Sequence, residues 1–409
     1  MKILNKIFKA AILLAIISGC SLLSCKKFLD KKNDASLVVP NTLADMQALL
    51  DAQTMNLIRT PCYGEVSSDE YFLKPETYHA MDNGNQKRYT WRYYFFGTSN
   101  DWSSCYTPVY VSNLVLEMTK NITRTKKNAE SWDNIKGSAL FYRSYYFLSL
   151  LWNYAKAYDS ATAGNDLGIA LRLTSNFNVL STRASNEDCY NKIIEDTKAS
   201  ISLLPPLPQH LLRPSKAAAY GLLARCYLSM RQYNNALLYA DSCLQITDNL
   251  INYNSDEDID VSNPINPVFK RFNKETIFYT EMNYNFYFYV TSGDSRIDTS
   301  LIQLYSPDDM RLVNFYSKNS DNFYSFTGSY SGNNYTMFSG IATDEMYLTR
   351  AECYIRKGEI NKGLNDINTL LETRYKEGTY VPYEETSQQE ALHLILEERR
   401  TELVMRGLR

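Results

Sequence analysis

The chain has 409 residues, with 43 lysines and arginines against 45 aspartates and glutamates and a formal net charge of -2. A balance this close to neutral leaves no electrostatic footprint for nucleic acid, so a DNA or RNA partner is not expected. Three histidines and eight cysteines without a CxxC pair lack the clustering a zinc centre needs, so neither a metal nor a cofactor is expected.

At the N-terminus Lys2, Lys6 and Lys9 precede an apolar run from Ala10 to Ile17, which is too short to span a bilayer as a permanent helix. A charged start, a short apolar core and small residues before a cysteine describe an export signal. Two tetrapeptides have lipobox character: Ile17-Ser18-Gly19-Cys20 and Leu22-Leu23-Ser24-Cys25. Cys20 fits the bare motif at least as well, because Leu23 is unusual at its place. Residues 1–24 are expected to be a lipoprotein signal peptide. No later stretch is apolar for long enough to cross a membrane, so attachment is expected through acyl chains, which hold best in numbers. The six cysteines beyond Cys25 are irregularly spaced and are expected mostly as buried small apolar residues.

Leu43, Met46, Leu49 and Leu50 predict a first helix over 41–53. The stretch 62–97 has tyrosines and glycines but no periodicity. A second helix is predicted over 102–120, with Tyr106, Tyr110, Asn113, Leu114 and Glu117 along one side. The next, 132–158, is apolar nearly all round and should be central. Ser185-Asn186-Glu187-Asp188 starts a helix that turns Tyr190, Ile193, Ile194, Thr197, Ile201 and Leu204 inward and stops at Pro205-Pro206. Tyr220, Leu223, Ala224 and Tyr227, followed by Ala236, Ala240 and Cys243, have the offsets of a tetratricopeptide helix pair. A second pair runs from Tyr347 to Leu370, with Ala351, Tyr354 and Gly363 in the key places and Arg350 where an apolar residue is usual. Helical pairs are thus expected at about 132–204, 215–247 and 343–375. Between them, about 250–340, aromatics, Asn, Ser and Gly predict short strands and long loops, and 388–406 a last amphipathic helix. The expected fold is mainly α: a tetratricopeptide-type helical-repeat scaffold with irregular aromatic-rich loops and a few short strands.

In order along the chain, several segments resemble the SusD/RagB family of outer-membrane nutrient-binding lipoproteins. They are Cys25-Lys26-Lys27-Phe28-Leu29-Asp30, Trp102…Tyr106…Tyr110…Asn113, Ala139-Leu140-Phe141-Tyr142-Arg143, Asp166-Leu167-Gly168-Ile169-Ala170-Leu171 (where the family usually has proline at the place of Ala170), Ser215 to Leu228, Glu345 to Glu352, and Glu398-Arg399-Arg400-Thr401-Glu402-Leu403. The Phe28-Leu29-Asp30 segment moves the expected lipidation site to Cys25. The resemblance implies a single SusD-like domain over 25–409, anchored by lipid on the outer face of the outer membrane. It also implies a SusC-type TonB-dependent transporter as partner, and capture of a glycan or peptide without chemistry upon it. Family members continue past the place of Arg406-Gly407-Leu408-Arg409, so the chain is expected to be C-terminally truncated.

Oligosaccharide capture requires aromatic faces for sugar C–H groups and polar groups for hydroxyls. Trp91, Tyr93 and Tyr94, and Tyr284, Phe286 and Tyr287 within a run of aromatics, are the candidates. The alternative is a helical-repeat adaptor that binds other envelope proteins, since such scaffolds offer concave surfaces to partners. An enzyme is not expected: GxSxG, HExxH and phosphate-cradling glycine loops are absent, and Glu397-Glu398-Arg399-Arg400 reads as helical i,i+4 ion pairing.

Overall fold

The computed structural model describes residues 40–92, 100–255, 257–260, 268–283, 294–333, 335–384 and 386–408. Thr42 opens α1 (Leu43–Leu50) with a capping box that Asp45 closes. The stretch without periodicity contains α2 (Tyr63–Val66), β1 (Tyr71–Leu73), α3 (Pro75–Ala80) and α4 (Asn83–Tyr89). These helices are one or two turns long, too short for a 3.6-residue pattern to repeat visibly.

α5 (Asp101–Thr119) and α6 (Ala129–Tyr154) come next. The buried face of α5 is Cys105, Val109, Ser112, Asn113 and Val115, not the stripe through Tyr106, Tyr110 and Glu117. Tyr110 is exposed, while Tyr106 and Glu117 reach outward to hold the segment after α6. The Tyr106 hydroxyl donates to the Ala170 carbonyl at 2.7 Å, and Glu117 accepts the Ser175 amide at 2.9 Å. Polar reach, not apolar packing, explains that stripe. α6 is central as expected, with Ala139, Phe141, Tyr146 and Phe147 all fully buried.

β2 (Leu167–Ala170) pairs antiparallel with β3 (Arg183–Ser185), and Ser185 then caps α7 (Asn186–Ile201) by accepting from the Asp188 amide. α7 turns Tyr190, Ile193 and Thr197 inward, together with Asp196, which meets Arg143 of α6 at 2.7 Å. α8 (Lys216–Ser229), capped by Ser215, and α9 (Tyr233–Leu244) form the first clear repeat. Ala217, Ala224, Ala236 and Ala240 are fully buried, which lets the two backbones approach, and Tyr227 stacks on Tyr239 at 5.6 Å.

The loop-rich part carries β4 (Thr276–Phe278), β5 (Ser295–Ile297), α10 (Thr299–Ile302), α11 (Arg311–Asn314), β6 (Tyr316–Lys318), β7 (Tyr324–Phe326) and β8 (Ile341–Ala342). The strands make antiparallel two-stranded ladders, β1 with β5, β4 with β8 and β6 with β7. Under them lies an aromatic core that includes Tyr253, Phe269, Tyr279, Phe315, Tyr330 and Phe338. Much of the tyrosine in the composition is spent there, since a phenol can fill space while its hydroxyl satisfies loop backbone.

α12 (Thr343–Arg356) and α13 (Ile360–Glu372) repeat the α8–α9 geometry closely. In the first turn Arg231 has φ 59° and the Gln232 amide returns to the Tyr227 carbonyl; in the second Gly358 has φ 81° and the Glu359 amide returns to the Tyr354 carbonyl, both at 2.9 Å. Arg350, the misfit of the repeat, bridges to Asp366 of α13 and Asp241 of α9 at 2.7 and 2.8 Å. The packing order α5, α6, α7, α8, α9, α12, α13 is that of a helical-repeat stack, and α14 (Gln388–Glu402) closes against α12. Glu398, Arg399 and Arg400 reach other elements, Arg311, Glu352 and Glu70 respectively, instead of pairing within α14.

Candidate ligand-binding cleft

A short stretch after α1 lies along the strand-like end of the loop-rich part. The amides of Arg59 and Thr60 both donate to the Glu281 carbonyl at 3.0 and 3.2 Å, and the Asn283 amide returns to Thr60 at 3.0 Å. Asn56 locks this junction, donating through its side chain to the Tyr279 and Leu212 carbonyls and accepting from the Tyr142 hydroxyl at 2.9 Å. Ile58 holds φ 58° at this turn, and Arg59 next to it lines the cleft at this junction.

An open cleft of about 780 Å³ sits here. Its walls include Gln53, Arg59, Arg271, Glu281, Asn283 and Tyr335. Asn333 accepts the Tyr335 and Thr336 amides at 2.8 Å each, a local turn that leaves the Tyr335 ring 59% exposed. Gly332, at φ 67°, is required beside this turn, because a Cβ there would lie 2.5 Å from the Arg271 amide nitrogen. Arg271 covers the faces of Phe272 and Tyr279 at 4.7 Å each and meets Glu281 at 3.2 Å.

Behind the cleft, Asp101 at the start of α5 accepts the Cys62 and Tyr63 amides at 2.8 and 2.9 Å and the Asn283 side chain at 3.1 Å. Burial nevertheless pushes its carboxyl up to about 6. Burial likewise raises the Glu281 carboxyl, against the pull of the Tyr279 hydroxyl and Arg271.

Of the residues expected to bind ligand, Trp91 is described and does not line this cleft. It stands 81% exposed at φ 58°, closing α4 with the Trp91 amide returned to Arg88 and the Arg92 amide to Lys87. Its indole N–H donates to the Ser67 carbonyl at 2.7 Å, so the ring is held at the surface. Tyr93, Tyr94, Tyr284, Phe286, Tyr287 and the lipidation candidate Cys25 lie outside the described residues. In sequence, Tyr284 directly follows Asn283 of the cleft wall. The cleft residues themselves were not singled out, because Arg59, Arg271 and Asn333 come from three distant segments with no shared motif. The Ser331-Gly332-Asn333 turn was the one local signal.

The six described cysteines are buried free thiols. Glu275, Asp344 and Glu402 bring carboxylate oxygens within 4.8 Å of one another, but Arg374 and Arg406 already pair with them in the core. That cluster is structural: guanidinium groups fill the place a cation would take. Among the described residues no helix is long and apolar enough to cross a membrane.

No curated protein matches the chain in sequence. Residues 27–228 match the SusD-like family model described as starch-binding, associating with the outer membrane. Among solved structures, a SusD superfamily protein from Bacteroides thetaiotaomicron is 18% identical with TM-score 0.73, covering 90% of this chain and 87% of its own. A SusD superfamily protein from Bacteroides fragilis is 19% identical with TM-score 0.70, covering 91% and 89%. A SusD-like carbohydrate binding protein from Bacteroides vulgatus is 18% identical with TM-score 0.67, covering 90% and 82%. At these identities the structural likeness is one of fold. The family-model match is what assigns the chain to the SusD/RagB family of outer-membrane-associated proteins, whose fold the structural neighbours share.

Proposed function

We propose that this chain is a lipid-anchored surface protein that captures an oligomeric glycan and delivers it to a SusC-type TonB-dependent transporter of the outer membrane, without chemistry upon it. The observation that carries this reading is the cleft. Its volume of about 780 Å³ falls within the usual range for ligand sites. Its amides, hydroxyls and guanidinium groups suit a polyhydroxylated ligand better than an apolar one, and Tyr335 offers a ring for a sugar face. The family description and the name of the carbohydrate-binding relative support a sugar over a peptide. The anchor at Cys25 would hold the protein beside its transporter and raise their effective concentration.

The test is isothermal titration of the mature protein against neutral and acidic oligosaccharides and against peptides. Saturable binding of an oligosaccharide supports the reading, and binding of peptides alone refutes it. Co-purification with an outer-membrane barrel tests the partner.

A further inference from the structure

We infer that the cleft selects an oligosaccharide bearing an anionic group, a uronate carboxylate or a sulfate ester, and that Arg59 and Arg271 receive that group. This rests on the reading of the cleft as a glycan site. Among the described wall residues, two guanidinium groups stand against the single carboxylate of Glu281. Several buried arginines elsewhere are matched by carboxylates: Arg225 with Glu345, Arg311 with Asp309, Glu398 and Glu402, and Arg143 with Asp196. Arg59 is different. No carboxylate faces it among the described residues, and its Nε is buried without a hydrogen-bond partner. A cationic donor withdrawn from water and left unpaired is costly, and an acceptor on a bound ligand removes that cost.

Arg271 is held ready in a different way. Its guanidinium lies over Phe272 and Tyr279, which fixes its plane, and Glu281 meets it at 3.2 Å. Glu281 is a weakened counter-charge, because burial disfavours its ionised form, against the pull of the Tyr279 hydroxyl that donates to it at 2.6 Å. The two arginines are organised around this one residue, Arg59 through the Glu281 carbonyl and Arg271 through its carboxylate. Planar guanidinium forks match the paired oxygens of a carboxylate or sulfate, whereas neutral hydroxyls are served by Gln53 and by the side-chain carbonyl of Asn283.

Titration of the mature protein at low salt with four oligosaccharides of equal length tests the inference: an oligogalacturonide, its methyl ester, a sulfated oligosaccharide and a neutral glucan. The oligogalacturonide or the sulfated ligand, whichever group the cleft takes, should bind at least about tenfold more tightly than the uncharged ligands, with affinity falling as salt rises. Arg59→Gln, whose native side chain makes no hydrogen bond among the described residues, should shrink that preference to within about twofold, and Arg271→Gln should do the same. Equal affinity for charged and uncharged ligands, or a preference that survives both substitutions, overturns the inference while glycan capture stands. If no oligosaccharide of any charge binds, the glycan reading falls and the inference with it.

Discussion

Replacing Arg374 by methionine should destabilise the fold strongly, and more so as pH rises. Its guanidinium is fully buried, 2.8 Å from Glu275 and 2.7 Å from Glu402, and it donates to the Ile251 carbonyl at 2.8 Å. Asp344 contributes a third carboxylate within 4.8 Å of the other two. Even with Arg374 present, burial pushes the Glu275 carboxyl up to about 7. Without it, Glu275 folds only as a neutral acid, at a cost of about 1.4 kcal/mol for each pH unit above its ordinary value, while Glu402 keeps Arg311 at 3.1 Å. The folded variant then binds more protons than the unfolded chain, so its stability falls as pH rises from about 4.5 to 8. Removal of one partner of a buried pair costs about 3–5 kcal/mol near neutral pH. For roughly 370 residues, at about 2.1 cal/mol/K each, that corresponds to a midpoint lowered by about 4–6 °C. Urea and thermal melts of wild type and Arg374→Met at pH 4.5 and pH 8 measure both effects. A loss below about 1 kcal/mol at pH 8, or an equal loss at both pH values, refutes the reasoning.

Asp101, whose carboxyl is pushed up to about 6 from 3.8, holds a proton in the folded state that the unfolded chain releases. Stability should therefore fall by about 3 kcal/mol across that window as pH rises, a slope that Asp101→Asn should lack in urea midpoints taken at pH 4 and 6.5. Gly363→Ala places a Cβ 2.5 Å from Ile355 and 2.8 Å from the Ala351 carbonyl. Overpacking at that crossing should outweigh the gain in helix propensity and leave a net loss of roughly 1–2 kcal/mol by denaturant titration. Trp91 holds φ 58°, so Trp91→Gly should be about 1 kcal/mol more stable than Trp91→Ala in the same assay, since both lose the indole bond to Ser67 and only glycine relaxes the backbone.

Legibility in the sequence followed the length of the pattern. α6, α8, α9, α12 and α13 each run for three turns or more, so their apolar spacing and small crossing residues could be read directly. α5 and the side shared by Tyr106, Asn113 and Glu117 were legible, but not that their polar ends hold residues 170–175, a role periodicity does not encode. α14 was placed correctly, yet its charged run pairs with α11, α12 and Glu70, because ions turned toward the core find partners on neighbouring elements. Tyr142, Tyr146, Tyr253 and Tyr279 are core residues with satisfied hydroxyls. The cleft stayed hidden because its walls meet only through the pairing of residues 59–60 with 281–283.

Glycan capture by this cleft can be measured directly. The most direct measurement is isothermal titration of the mature protein, and of a Tyr335→Ala variant, with oligosaccharide and peptide panels. Saturable binding of at least one oligosaccharide is expected, weakened about tenfold in the variant at an unchanged melting temperature. Absence of oligosaccharide binding, or identical affinity in the variant, would contradict it.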